Sequence, residues 1–212
     1  YKEPLEIRIR LAYERLHLYL KRHDYIILLK KILYYLKYIP LSRQFLRKIR
    51  KFESIPDFKN DFFFFPLHFQ PEATTLPLAG RYVDQLMIID MVSKALPDGV
   101  FLYVKEHPSF WDVADRYEGV NEARDINYYK YISKLHNVKL IAHDYSSLEL
   151  IDKSLCVITA TGTAALEAAF KSKPVMVFSD FIYSLIPTVF RIYNYDDCKC
   201  AIDRIDNEKV KK

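Results

Sequence analysis

The sequence predicts an α/β fold: a Rossmann-like parallel sheet with helices on both faces, preceded by a basic helical segment. Three observations carry this. From Asp61 onward, strand-length apolar runs alternate with helical stretches four or five times, the order that builds a parallel sheet. The chain has 212 residues, half of them hydrophobic, with seventeen Tyr and fourteen Phe, enough for a real core. The charge is uneven: residues 1–55 hold fourteen Lys and Arg against five Asp and Glu, a net of +9, and the remainder carries −4.

Residues 5–52 read as helix, divided by Pro40, since a proline removes a helix hydrogen bond. Clusters at Ile26–Leu29 and Ile32–Leu36 are interrupted by Lys30, Lys31 and Lys37. Two readings stand for them: a basic amphipathic surface for anionic lipid or a partner, or a helix pair packed on a further domain. Pro56, among polar residues 54–59, sets the boundary, giving a lead-in of 1–56 and an α/β body of 57–212. Strands are expected at Phe62–Phe69, Val100–Glu106, Val138–Ala142, Leu155–Ala160, Pro174–Ser179 and Phe190–Asn194. Helices are expected at Tyr82–Leu96, Asn121–Leu135, Ser147–Lys153 and Ala164–Lys171. Ser146-x-x-Glu149 has capping-box spacing before the third of these.

Several function classes are set aside. The basic charge sits in the N-terminal quarter, whereas a nucleic-acid-binding domain would carry it on the folded body. No signal peptide and no apolar run of spanning length is visible, so a soluble, cytoplasmic chain is expected. Cys156 lies in an apolar strand, and Cys198-Lys-Cys200 is too tight for chelation and reads as a surface pair. Three cysteines without CxxC spacing point to a reducing compartment and no zinc site. His17, His23, His136 and His143 fall in no ligand spacing, and neither GxSxG nor HExxH occurs.

Three constellations remain, each at the end of a strand. Asp61–Gly80 runs from the apolar FFFFP into His68, Gln70, Glu72, Thr74 and Thr75 before a helical pattern. Open α/β sheets place ligands in such loops. Alternate spacing on an extended chain turns His68, Gln70 and Glu72 to one side, making a ligand rim; the competing reading has Gln70 and Glu72 satisfying loop backbone. In Val104-Lys105-Glu106-His107-Pro108, Lys105 and His107 are cationic donors suited to a phosphate. The alternative there is a surface Lys–Glu pair beside a turn histidine. In Thr159-Ala160-Thr161-Gly162-Thr163, a strand enters a glycine turn before the Ala-rich helix holding Glu167. Such a junction offers backbone N–H groups and the positive helix end to an anion, and Glu167 stands one turn in, where it can hold a ribose. A plain strand-to-helix junction with a capping Thr is the alternative.

Together, FFPLHFQPEATTLPLAGRYVDQ, LYVKEHP and VITATGTAALEAAFKSKPVMVF, spanning roughly residues 61–194, resemble the capsule polysaccharide biosynthesis and export family. That family includes retaining transferases adding 3-deoxy-D-manno-octulosonic acid (Kdo) from its CMP-activated form. The resemblance implies a GT-B-like glycosyltransferase, two Rossmann-type domains facing a cleft. This chain, which begins at Tyr1, then corresponds to the nucleotide-binding C-terminal half, with the N-terminal Rossmann domain absent. The implied HP pair is His107-Pro108, the QPE segment is Gln70-Pro71-Glu72, and the GT-turn-EA segment runs from Thr161-Gly162-Thr163 to Glu167-Ala168. Ala165-Leu166 departs from the glycine and aromatic that relatives often carry there. On this resemblance Glu72 and His107 are the catalytic candidates. His68, Gln70, Lys105, Thr161, Gly162, Thr163 and Glu167 are the substrate- and nucleotide-binding ones. No metal and no cofactor is expected; the nucleotide sugar, CMP-Kdo among the donors, is substrate. The implied partners are a polysaccharide or lipid-linked acceptor and a membrane-associated capsule assembly complex, with the chain peripheral at the inner face of the plasma membrane. Alternatives are a non-catalytic assembly or export component, a nucleotide-sugar epimerase and a glycerophosphotransferase.

Overall fold

A computed structural model describes residues 5–21, 25–70, 78–114, 124–179 and 186–210. The predicted strands are all present, in a sheet of seven parallel strands among the described residues. They are β1 (Glu53–Ser54), β2 (Phe62–Pro66), β3 (Phe101–Lys105), β4 (Val138–Ile141), β5 (Cys156–Thr159), β6 (Val175–Val177) and β7 (Val189–Arg191). Their spatial order is β1-β4-β3-β2-β5-β6-β7.

The strand β2 lies at the centre because its four phenylalanines are buried on both faces, as a parallel sheet covered on two sides requires. Alternation splits them. Phe63 and Phe65 enter one core with Leu102, Val104 and Ile158; Phe62 and Phe64 enter a second with Tyr103, Val157 and Val177. The first core is closed by α2 (Tyr25–Arg50), through Leu46 and Ile49, by α3 (Gln85–Ala95), and by α5 (Ile126–Ile132). The second is closed by α6 (Ser147–Lys153) and α7 (Ala164–Phe170). Helix α1 (Leu5–Lys21) precedes α2, and α4 (Pro108–Ala114) follows β3. Caps start three helices where the sequence supplies them. Asp84 accepts from the Leu86 N–H, Asp125 from Tyr128, and Ser146 from Glu149, the last as the capping-box spacing predicts.

Two expectations are corrected, at Pro40 and at Cys198, and three elements stand beyond those expected. Pro40 does not divide the N-terminal segment: α2 runs through it, giving up one backbone bond on an exposed stretch. β1 was not expected, because two polar-flanked residues carry no hydrophobic period; they pair with Leu140 and Ile141 of β4. α4 begins at Pro108, the first-turn position where a missing N–H costs nothing. The last helix, α8 (Tyr195–Val210), buries Cys198, Ala201, Ile202 and Ile205, spaced i, i+3, i+4, i+7. Cys198 is therefore a core residue and not half of a surface pair; burial pushes its thiol up to about 12. Among the described residues, no helix is long and apolar enough to cross a membrane.

Candidate functional site

The chain leaves β2 toward β3 and β4 on one side, then returns to build β5, β6 and β7 on the other. The order reverses between β2 and β5, and ligands of open α/β sheets bind outside the carboxyl ends of the strands at such a switch point. The loops after β2 and β5 meet there through one side chain. His68 Nε2 accepts from the Ala160 N–H at 2.9 Å and lies 3.2 Å from Thr159 Oγ1 and 3.4 Å from the Thr161 nitrogen. An Nε2 that accepts amide hydrogens places the ring proton on Nδ1. Burial, with the Arg124 charge and His107 nearby, lowers the His68 pKa to about 4, so the ring is neutral near pH 7.

Gly162 is required here by space. A Cβ on it would stand 2.6 Å from His68 Cε1 and 3.0 Å from Thr159 Oγ1. Its N–H donates to Thr159 Oγ1 at 2.8 Å. The Thr161 hydroxyl is buried without a hydrogen-bond partner among the described residues, while Thr163 is exposed and does not cap α7 with its side chain. The N–H groups of Ala165, Leu166 and Glu167 are spent on Gly162 and Thr163 carbonyls. The backbone donors at this junction thus come down to Thr163 and Ala164, whose amides carry no such bond among the described residues. Glu167 is exposed on α7.

The second constellation divides between the two faces of the sheet, as period-2 alternation dictates. Lys105 is 2% exposed, with Nζ donating to Ser147 Oγ at 3.1 Å, beneath the start of α6. Desolvation lowers its pKa, opposed by Asp144, Glu106 and Glu53. Glu106, 1% exposed, turns the other way. The reading of these two as a surface pair is therefore overturned. The Glu106 carboxylate accepts from the His107 N–H at 2.8 Å, from Tyr129 Oη at 2.6 Å and from the Arg124 guanidinium. Arg124 also donates to the His68 carbonyl, and Gln85 accepts from the His68 N–H at 2.9 Å. A buried ion pair thus ties the β3 loop to the β2 loop. Sequence reasoning missed Arg124 and Gln85, because charged and amide side chains are ordinarily exposed and nothing local marks these as exceptions.

His107 is half-buried at the head of α4, its ring 6.0 Å from that of Phe69. Nδ1 accepts the Ser109 N–H at 3.1 Å, so Nε2–H is the donor of the neutral ring. Gln70 donates to the Val83 carbonyl at 2.7 Å. His68 and Gln70 are therefore spent on different partners and do not form the shared rim that alternate spacing suggests. Glu72, with Thr74 and Thr75, lies outside the described residues. A cavity of about 370 Å³ opens on the same carboxyl edge but off the switch point, between β1 and β4. The motifs converge on the switch point, where sheets of this kind form their ligand crevice, and not on that cavity, so this crevice is the candidate site.

The model of a protein family described as capsule polysaccharide biosynthesis protein matches residues 77–187, just over half of the chain. The chain belongs to this family. Among solved structures it is similar to the β-Kdo 2,7 transferase of Thermosulfurimonas dismutans KpsC, at 15% identity and a TM-score of 0.46. It is similar to the UDP-GlcNAc 2-epimerase of Methanocaldococcus jannaschii at 13% and 0.48, and to the wall teichoic acid polymerase TagF at 14% and 0.42. The matches cover 78%, 82% and 80% of this chain but 52%, 45% and 41% of those, so this family member spans about half their length. Compared with curated protein sequences, it has no match.

Proposed function

We propose that this chain is the nucleotide-sugar-binding domain of a glycosyltransferase of surface polysaccharide biosynthesis. It acts on a sugar held on a nucleotide, Kdo on CMP being the leading donor, and passes it to a glycan or lipid-linked acceptor. The observation that carries this reading is the meeting of three motif loops at one switch point, two of them joined by His68. In this scheme His107 Nε2–H and the Thr163 and Ala164 amides stabilise the departing phosphate. Donors fixed before reaction are the largest single source of rate in many transfers. Buried Lys105 adds positive potential under the same edge. Exposed Glu167 takes the ribose hydroxyls, and Glu72 supplies the carboxylate that a double displacement needs on the sugar's other face.

Calorimetric titration with CMP, CDP and UDP tests the reading. CMP is expected to bind best and His107→Ala to abolish it; unchanged affinity in that variant removes His107 from the site. Preference for UDP or CDP moves the assignment to a hexosyl or glycerophosphate donor. A second reading, a non-catalytic assembly component, draws on the exposed Ile26, Leu29, Leu33 and Leu36 of basic α2. Failure of residues 1–55, within the full chain, to hold it on anionic vesicles argues against that reading.

A further inference from the structure

The cavity between β1 and β4 lies outside the crevice, and its walls carry a chemistry of their own. It is lined by Arg50, Glu53, Ser54, Ile55, Ala142, His143 and Asp144, around about 370 Å³, within the range of small-molecule sites. Ser54 pairs with Ile141, so Ile55 and Ala142–Asp144 rise from the same carboxyl edge as the motif loops. β4 stands two strands from β2, about 10 Å at the usual sheet spacing.

The floor of the cavity is internally satisfied. Glu53 Oε1 accepts from the His143 N–H at 3.0 Å, and the His143 Nδ1 lies 3.2 Å from the same oxygen. With Nδ1 donating, Nε2 accepts from Arg50 Nη2 at 3.5 Å. The His143 ring rests on Trp111 at 4.0 Å, and the Arg50 guanidinium lies over the same indole at 5.6 Å.

Two wall groups are left with capacity. Arg50 makes no ion pair with a carboxylate among the described residues; a ring face and a ring nitrogen hold it, and most of its five donors remain unspent. Asp144 is exposed and accepts no hydrogen bond from the described residues. One wall offers a planar cation and the other a carboxylate acceptor. We propose that this cavity is a second sugar subsite, one that takes an anionic sugar unit: its carboxylate or phosphate on Arg50, its hydroxyls on Asp144. The sugar assignment rests on the polysaccharide reading of the crevice; the anion requirement rests on the cavity alone. A neutral sugar leaves the guanidinium unmatched, and a zwitterionic amino acid would use both walls without needing any hydroxyl.

The test is a ligand-observed NMR titration of the full chain, without nucleotide, against D-glucuronate, D-glucose 6-phosphate, D-glucose and L-alanine. Binding of either anionic sugar, with D-glucose clearly weaker, is expected, and the stronger of the two identifies the anion. Arg50→Ala should weaken that binding about tenfold or more, the worth of a charge-assisted hydrogen bond. Arg50→Lys keeps the charge but not the fork, and should recover only part. Asp144→Asn should weaken both anionic sugars. Arg50 and Asp144 are both exposed, so these variants fold. Binding of neither anionic sugar, equal binding of D-glucose, stronger binding of L-alanine, or indifference to Arg50→Ala each overturns the proposal. Because no nucleotide is present, these outcomes are independent of whether CMP binds the crevice.

Discussion

Replacing Arg124 with Met removes one partner of an ion pair whose side chains are each 1% exposed. The guanidinium makes two charge-assisted bonds, to Glu106 and to the His68 carbonyl. At about 1.5–3 kcal/mol each, their loss costs about 3–6 kcal/mol. That agrees with the roughly 3–5 kcal/mol of leaving one buried charge without its partner. Against a total stability of about 5–15 kcal/mol, Arg124→Met removes a large fraction and, at about 2–4 °C per kcal/mol, lowers the melting temperature by about 6–24 °C. Glu106→Gln alone strands Arg124 instead and is expected to cost a similar amount. In the double variant no charge is stranded: the Gln oxygen still accepts from the His107 N–H, and its amide nitrogen donates to Tyr129 Oη in place of the second carboxylate oxygen. The double-mutant cycle should therefore show coupling of about 2 kcal/mol or more. Urea denaturation followed by circular dichroism measures all three. An Arg124→Met loss below about 1 kcal/mol, or strict additivity, refutes the claim that this pair ties the two loops.

Two further outcomes follow from the His68 contact. The folded His68 has a pKa of about 4 against an ordinary 6.5, so the unfolded chain takes up a proton that the folded one refuses. Stability from this group is full above pH 6.5 and falls toward pH 4, by about 3 kcal/mol in all and about 2 kcal/mol between pH 7 and 5. Urea titrations at pH 7, 6 and 5 should show that slope, and His68→Gln should flatten it. Gly162→Ala drives a methyl to within 2.6 Å of His68 Cε1 and should cost about 1–3 kcal/mol as overpacking. The chemical shifts of Ala160 and Thr161 amides should move with it, and an unshifted spectrum would contradict the packing.

The frame was legible because hydrophobic period is a local property. Phe62–Phe65, the Val157-Ile158 run and the Ser146 cap each announce their element within a few residues. The switch point was legible as three strand ends carrying polar loops. The polar network beneath it was not. Arg124 reaches Glu106 and His68 across 18 and 56 residues of chain, and no short window holds that relation. Glu106 and Lys105 look like a solvated pair in sequence, yet alternation at a strand end buries them on opposite faces. α8 was hidden for a different reason. Its buried stripe is only Cys198, Ala201, Ile202 and Ile205, set among eight charged residues from Asp196 to Lys209.

The three thiols also divide the folded chain from the open one. Cys156 and Cys198 are buried and Cys200 is exposed, so an alkylating reagent meets one reactive sulfur in the native state and three after unfolding. Cys156 lies in β5, the strand whose end carries Thr159 to Gly162. Its slow modification is therefore a clock for how often the strand that holds the crevice comes loose, read with no ligand and no catalytic turnover. A nucleotide that binds in the crevice slows that clock, and one that binds elsewhere without stabilising β5 leaves it running.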